Sequence, residues 1–182
     1  MRRMILFRHG KAEVAGPSGG DKDRPLAGRG REDSAVTAGW LSDAGFVPDI
    51  VLVSPAHRTA ETWDCARPAF PSARAERNED LYLASSDLIL DAALEALGRG
   101  ASVMIVGHNP GLQELGADLA AAAGAPADQI DRIEEAFPTA SACVFRMDGD
   151  QAAVLEAVYE PPRRAGEPPR WVYLDRASGD PA

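Results

Sequence analysis

The sequence predicts an α/β domain with a largely parallel sheet and helices on both faces. Three observations predict it. Short, continuous apolar runs at residues 4–7, 50–53 and 103–106 read as strands buried on both faces. Helical patterns alternate with these runs, as in a parallel sheet with crossover helices. Two later runs, 142–145 and 152–158, flank Met147-Asp148-Gly149-Asp150. A glycine-containing connection of that kind signals a hairpin, which adds at least one antiparallel strand.

The elements follow in chain order. The first strand stops at Arg8-His9-Gly10, and a loop rich in Gly and Pro covers 16–21. A helix over 30–44 carries Ala35, Ala38 and Leu41 along one side. The second strand stops at Ser54-Pro55-Ala56-His57-Arg58, where Ser54 suits an N-cap and Pro55 the first helical position. Residues 73–76 give the weakest strand signal. Ser86 suits the cap of a helix over 87–97, with Leu90, Leu94 and Leu97 at i, i+4 and i+7. The third strand stops at Gly107-His108-Asn109-Pro110-Gly111, where Asn109 and Pro110 repeat the cap-and-proline pairing. Leu112, Leu115 and Leu119 mark the next helix, and residues 161–169 read as a solvated loop.

A chain of 182 residues fits one domain, expected to span 1–182 without a large cap insertion. Its 45% apolar content supports a core, and its net charge of −9 argues against a coat for nucleic acid or an anionic membrane. Cys65 and Cys143 lack zinc-site spacing and read as thiols in a reducing compartment. The run at 4–7 is too short for a signal peptide, and no stretch reaches membrane-span length. A soluble cytoplasmic protein is expected, with neither metal nor cofactor.

Ligands of open parallel sheets bind beyond the carboxyl ends of the strands. The chain's three histidines all lie just past the ends of the predicted strands. Two of those ends also read as helix N-termini, which attract anions. Arg8 and Arg58 add planar forks suited to phosphate oxygens. The expectation is a compact phosphate pocket holding Arg8, His9, Arg58 and His108. His57 adjoins Arg58 on a helix, where neighbours point apart, so it should lie outside.

Arg8-His9-Gly10, "SPAHRTAET" and "GHNPG", in this order, resemble the histidine phosphatase superfamily, also called phosphoglycerate-mutase-like. "RHGKAE", "DKDRPLAGRG", "LYLAS" and "FPTAS" resemble its small phosphohistidine phosphatase branch, the SixA-like proteins. The resemblance implies a three-layer αβα sandwich on a mixed, mostly parallel sheet of about six strands, one of them antiparallel. It implies phosphoryl transfer through a phosphohistidine, with His9 as nucleophile and Arg8, Arg58 and His108 on the phosphate oxygens. Gly10, Lys11, Asp21 and Asn109 are expected around the substrate, with Gly10 letting the backbone approach the phosphate. Glu79 is the first candidate proton donor and Asp21 the second. The implied partner is a phosphorylated protein, such as a histidine-containing phosphotransfer domain. A small sugar or nucleotide phosphate ester, or a non-catalytic phosphate-binding module, stands as the alternative.

Overall fold

The computed structural model describes residues 1–164 and 166–175. Ala165, within the expected 161–169 loop, and residues 176–182 of the expected 1–182 domain lie outside the described residues. Among the described residues, seven strands form one sheet: β1 (Arg2–Arg8), β2 (Ile50–Val53), β3 (Arg74–Arg77), β4 (Ser102–Gly107), β5 (Ala142–Asp148), β6 (Gln151–Glu160) and β7 (Trp171–Leu174). Their order is β3-β2-β4-β1-β5-β6-β7. β3, β2, β4 and β1 pair in parallel; β1–β5, β5–β6 and β6–β7 pair antiparallel. Two strands, β5 and β7, therefore run against the rest. The expected class holds, with seven strands in place of about six and two antiparallel strands in place of one, because β7 lengthens the sheet past the predicted hairpin.

Alternation along β1 builds the two cores. Met4 and Leu6 face one side, where α3 (Ser86–Leu97), α4 (Gly111–Ala122) and α5 (Ala127–Glu135) pack. Ile5 and Phe7 face the other, where α1 (Gly28–Asp43) and α2 (His57–Ala66) pack. All four side chains are completely buried, as central-strand residues covered on both faces should be. No helix among the described residues is long and apolar enough to cross a membrane.

Several local expectations shift. The buried side of α1 is Gly30, Ser34, Thr37, Ala38 and Leu41, whereas Ala35 is exposed. This face is polar because it meets backbone: Thr37 Oγ1 donates to the Ala140 carbonyl at 2.8 Å. Ser85, not Ser86, caps α3 by accepting from the Leu88 amide; Leu97 is buried as expected, but Ile89, Ala93 and Ala96 take the other inner positions and Leu90 and Leu94 are only partly buried. Neither Ser54 nor Asn109 caps a helix. α2 starts after Ala56 and α4 after Pro110, and neither start has a side-chain cap. Ser54 and Asn109 turn their side chains to the site instead.

Candidate active site

β1, β2 and β4 end on one rim. The ladder continues past β1: the His9 amide donates to the Gly107 carbonyl at 3.0 Å, and the Ala140 amide donates to the His9 carbonyl at 3.0 Å. Ala140 has a φ of 60°, a left-handed conformation that costs a non-glycine residue about 1 kcal/mol. Its bonds to His9 and Thr37 hold it there, so local strain is stored beside the imidazole.

His9 is 9% exposed. Its Nδ1 lies 2.7 Å from the Gly10 carbonyl, which can only accept, so Nδ1 carries the proton. Burial lowers its pKa to about 4; the Gly10 bond opposes that shift, and Arg8, Arg58 and Arg24 reinforce it. The ring is therefore neutral at pH 7, with its lone pair on Nε2. His108 stands 5.3 Å away, centroid to centroid. Burial, then His9 and Arg58, push its pKa down to about 3. Its Nε2 meets Ser54 Oγ at 2.7 Å, while its buried Nδ1 has no hydrogen-bond partner among the described residues. Arg8 donates through Nη1 to the Phe137 carbonyl at 2.7 Å, and its buried Nε is also unpartnered. A buried donor left unsatisfied, as Arg8 Nε is, costs about 1–3 kcal/mol and so marks a place for an acceptor.

Arg58, on the first turn of α2, is bound by Asp21 twice: Nη1 to the carbonyl at 2.8 Å and Nη2 to Oδ2 at 3.0 Å. Asp21 Oδ2 also accepts from the Tyr82 hydroxyl at 2.6 Å, and Oδ1 from Arg24 at 2.9 Å. The Tyr82 bond, with those of Arg24 and Arg58, holds the Asp21 carboxyl well below the usual carboxylate range.

A cleft of about 430 Å³ brings together Arg8, His9, Lys11, Asp21, Arg58, His108 and Asn109. Asn109 Nδ2 donates to Gln113 Oε1 at 2.9 Å and to the Phe137 carbonyl at 3.0 Å. Two expected residues are not in the lining. Gly10 faces α1: a Cβ on it would sit 2.4 Å from the Gly30 carbonyl oxygen, and its amide donates to Thr62 Oγ1 at 3.0 Å. Its missing side chain makes room for a helix rather than for an anion. Glu79 is exposed, paired with Arg77 at 2.5 Å and 3.7 Å from Lys22. The Arg77 bond lowers its pKa. His57 also lies outside the lining, its Nδ1 3.3 Å from the Asp23 carbonyl.

Sequence reasoning missed Arg24, Ser54 and Tyr82 as members of this network. "DKDRPL" held the signal for Arg24, one helical turn's spacing from Asp21. Tyr82 lies in "LYLAS", but nothing in that segment shows that it meets Asp21 across 61 residues.

Comparison with known proteins gives the family. The profile of the histidine phosphatase superfamily (branch 1) matches residues 4–82. The uncharacterized protein Rv1276c of Mycobacterium tuberculosis is 34% identical over 149 residues, 81% of this chain and 91% of that one. The crystal structure of a candidate phosphohistidine phosphatase SixA from Agrobacterium tumefaciens is 32% identical, with a TM-score of 0.68 over 79% of this chain and 90% of that one. A protein histidine phosphatase SixA complexed with tungstate shares the fold at 21% identity, with a TM-score of 0.68 over 97% and 99% of the chains. The chain belongs to the histidine phosphatase superfamily and is a SixA-like phosphatase.

Proposed function

We propose that the protein removes phosphate from phosphohistidine in partner proteins through a covalent intermediate on His9. The observation that carries this reading is a neutral imidazole facing two arginines, in a cleft whose only acidic lining group among the described residues, Asp21, is held ionised.

His9 Nε2 attacks phosphorus while Nδ1–H stays on the Gly10 carbonyl. Arg8 and Arg58 take the equatorial oxygens. His108 joins them through Nδ1–H, which requires Nε2 to accept from the Ser54 hydroxyl. Asp21 and Tyr82 keep the Arg58 fork aimed. The substrate's P–N bond breaks as the P–N bond to His9 forms. An alkoxide leaving group needs a strong proton donor. An imidazole already protonated on its other nitrogen leaves neutral and needs none. Asp21 and Glu79, the two candidate donors, are both held as carboxylates, which favours the N–P bond over an alkyl ester. Water then attacks the phosphoenzyme, His9 leaves with its pair on Nε2, and the water's proton passes to solvent.

A protein substrate suits the stretch between α2 and α3. Residues 67–85 contain two short 3₁₀ turns and β3, with no helical insert to fold over the cleft. An uncovered cleft receives a side chain presented by another protein and closes poorly over a metabolite. The test compares kcat/KM on a phosphohistidine peptide with that on a simple sugar phosphate. A large preference for the peptide is expected; comparable values would refute the substrate assignment.

A further inference from the structure

Beside the catalytic cleft lies a second one of about 300 Å³, and the two share Lys11 and Thr139. Its other walls are Arg29 and Asp33 on α1, and Pro162, Arg163 and Arg170 from the connection between β6 and β7.

The charges in this cleft do not cancel. Arg29 Nε pairs with Asp33 at 2.6 Å, and Arg170 lies 3.8 Å from the buried Glu160. Lys11 and Arg163 have no anionic partner among the described residues. Their backbones are nevertheless fixed. Arg29 donates to the Arg163 carbonyl at 2.8 Å and to the Pro162 carbonyl, and Arg170 donates to the Pro161 carbonyl at 3.1 Å. Arg29 thus ties the segment that carries Arg163 to α1, and Arg170 closes the start of the connection onto its end. Lys11 is held from the other side: its carbonyl accepts from the Ala27 amide at 2.8 Å, and Gly30 lies flush against it. In a chain of net charge −9, two uncompensated cations on pinned backbone mark a local anion site.

We infer, on the phosphohistidine reading above, that this second cleft binds an acidic side chain flanking the phosphorylated histidine of the partner protein. Lys11 stands between the two clefts. A peptide crossing it sets its phosphohistidine in the first cleft and an Asp or Glu against Lys11 and Arg163 in the second. The cleft thereby selects among phosphohistidine proteins by the charge next to the reacting residue.

The experiment uses the full chain and two peptides with a central phosphohistidine, one flanked by Asp on both sides and one by Asn. The wild type is expected to favour the Asp peptide about fivefold in kcat/KM at low salt, through KM, as about 1 kcal/mol from exposed ion pairs allows. That preference collapses toward unity in Arg163→Gln and at high salt, and survives in Arg163→Lys. Thermal melts check that both variants fold; the exposed position makes that the expected result. If both peptides turn over with no preference, or Arg163→Gln keeps it, the second cleft has no such role and the phosphohistidine reading stands. If neither peptide turns over while a simple phosphate ester does, both fall.

Discussion

Ser54 is buried, and its hydroxyl meets His108 Nε2 in the site. Losing that bond frees the ring to take the other tautomer. Ser54→Ala should therefore lower kcat/KM about tenfold, the scale of one net hydrogen bond. Nitrogen NMR should show more Nε2-protonated His108; a variant with wild-type kinetics and tautomer would remove Ser54 from the mechanism. The two histidines also set an acid limit on stability. Folded, they take protons only near pH 4 and pH 3, whereas an unfolded histidine takes one near 6.5. Between these values the unfolded chain binds more protons. Stability should be full above pH 6.5 and fall as the pH drops toward 4. Melts of the wild type and of a His9→Asn/His108→Asn variant check this: the variant should lose less between pH 6.5 and 4.5, and equal losses would contradict the assigned shifts. Arg8, His9 and His108 were legible in the sequence because each lies at a strand end, and Arg58 because it opens the helix that follows one. Ser54 was misread as a cap, because its neighbour Pro55 makes a plausible local signal that tertiary contact overrides.

Glycines set the fit between β1 and α1. A Cβ at Gly30 would stand 2.1 Å from the Lys11 carbonyl oxygen and 2.7 Å from the Lys11 amide nitrogen. Backbone on both sides cannot yield cheaply. Gly30→Ala should destabilise by at least about 1–3 kcal/mol and lower activity, since Lys11 and Gly10 follow directly on His9. Urea melts and kcat/KM test this together, and an unchanged midpoint would contradict the packing. The strands at 4–7, 50–53 and 103–106 were readable because burial on both faces leaves unbroken apolar runs. α5 was not, since Ile130 and Ile133 are its only large apolar residues and its charges conceal the period. β7 was not either: its four residues follow a Pro-rich stretch, and only pairing with β6 makes them a strand. The inner face of α1 was misjudged because small polar residues, not the expected alanine at 35, meet the backbone beneath.

At the scale of the whole molecule, an acidic chain concentrates cations where its sheet opens. Arg8, Arg24, Arg58 and Lys11 all line one cleft. Net charge hides this concentration; the topology of β1, β2 and β4 brings these residues to one cleft. Burial, reinforced by the nearby positive charge, keeps both imidazoles neutral, and the Tyr82 hydroxyl with Arg24 and Arg58 keeps Asp21 ionised. Those protonation states, in turn, support a nucleophilic His9 and a leaving group that needs no acid. The most direct test of this account is rapid quench of the full-length protein with a radiolabelled phosphohistidine peptide. The account predicts a burst of label on the enzyme, stable to alkali and labile to acid, mapped to His9 and absent in a folded His9→Ala variant. Undiminished turnover by His9→Ala would contradict it.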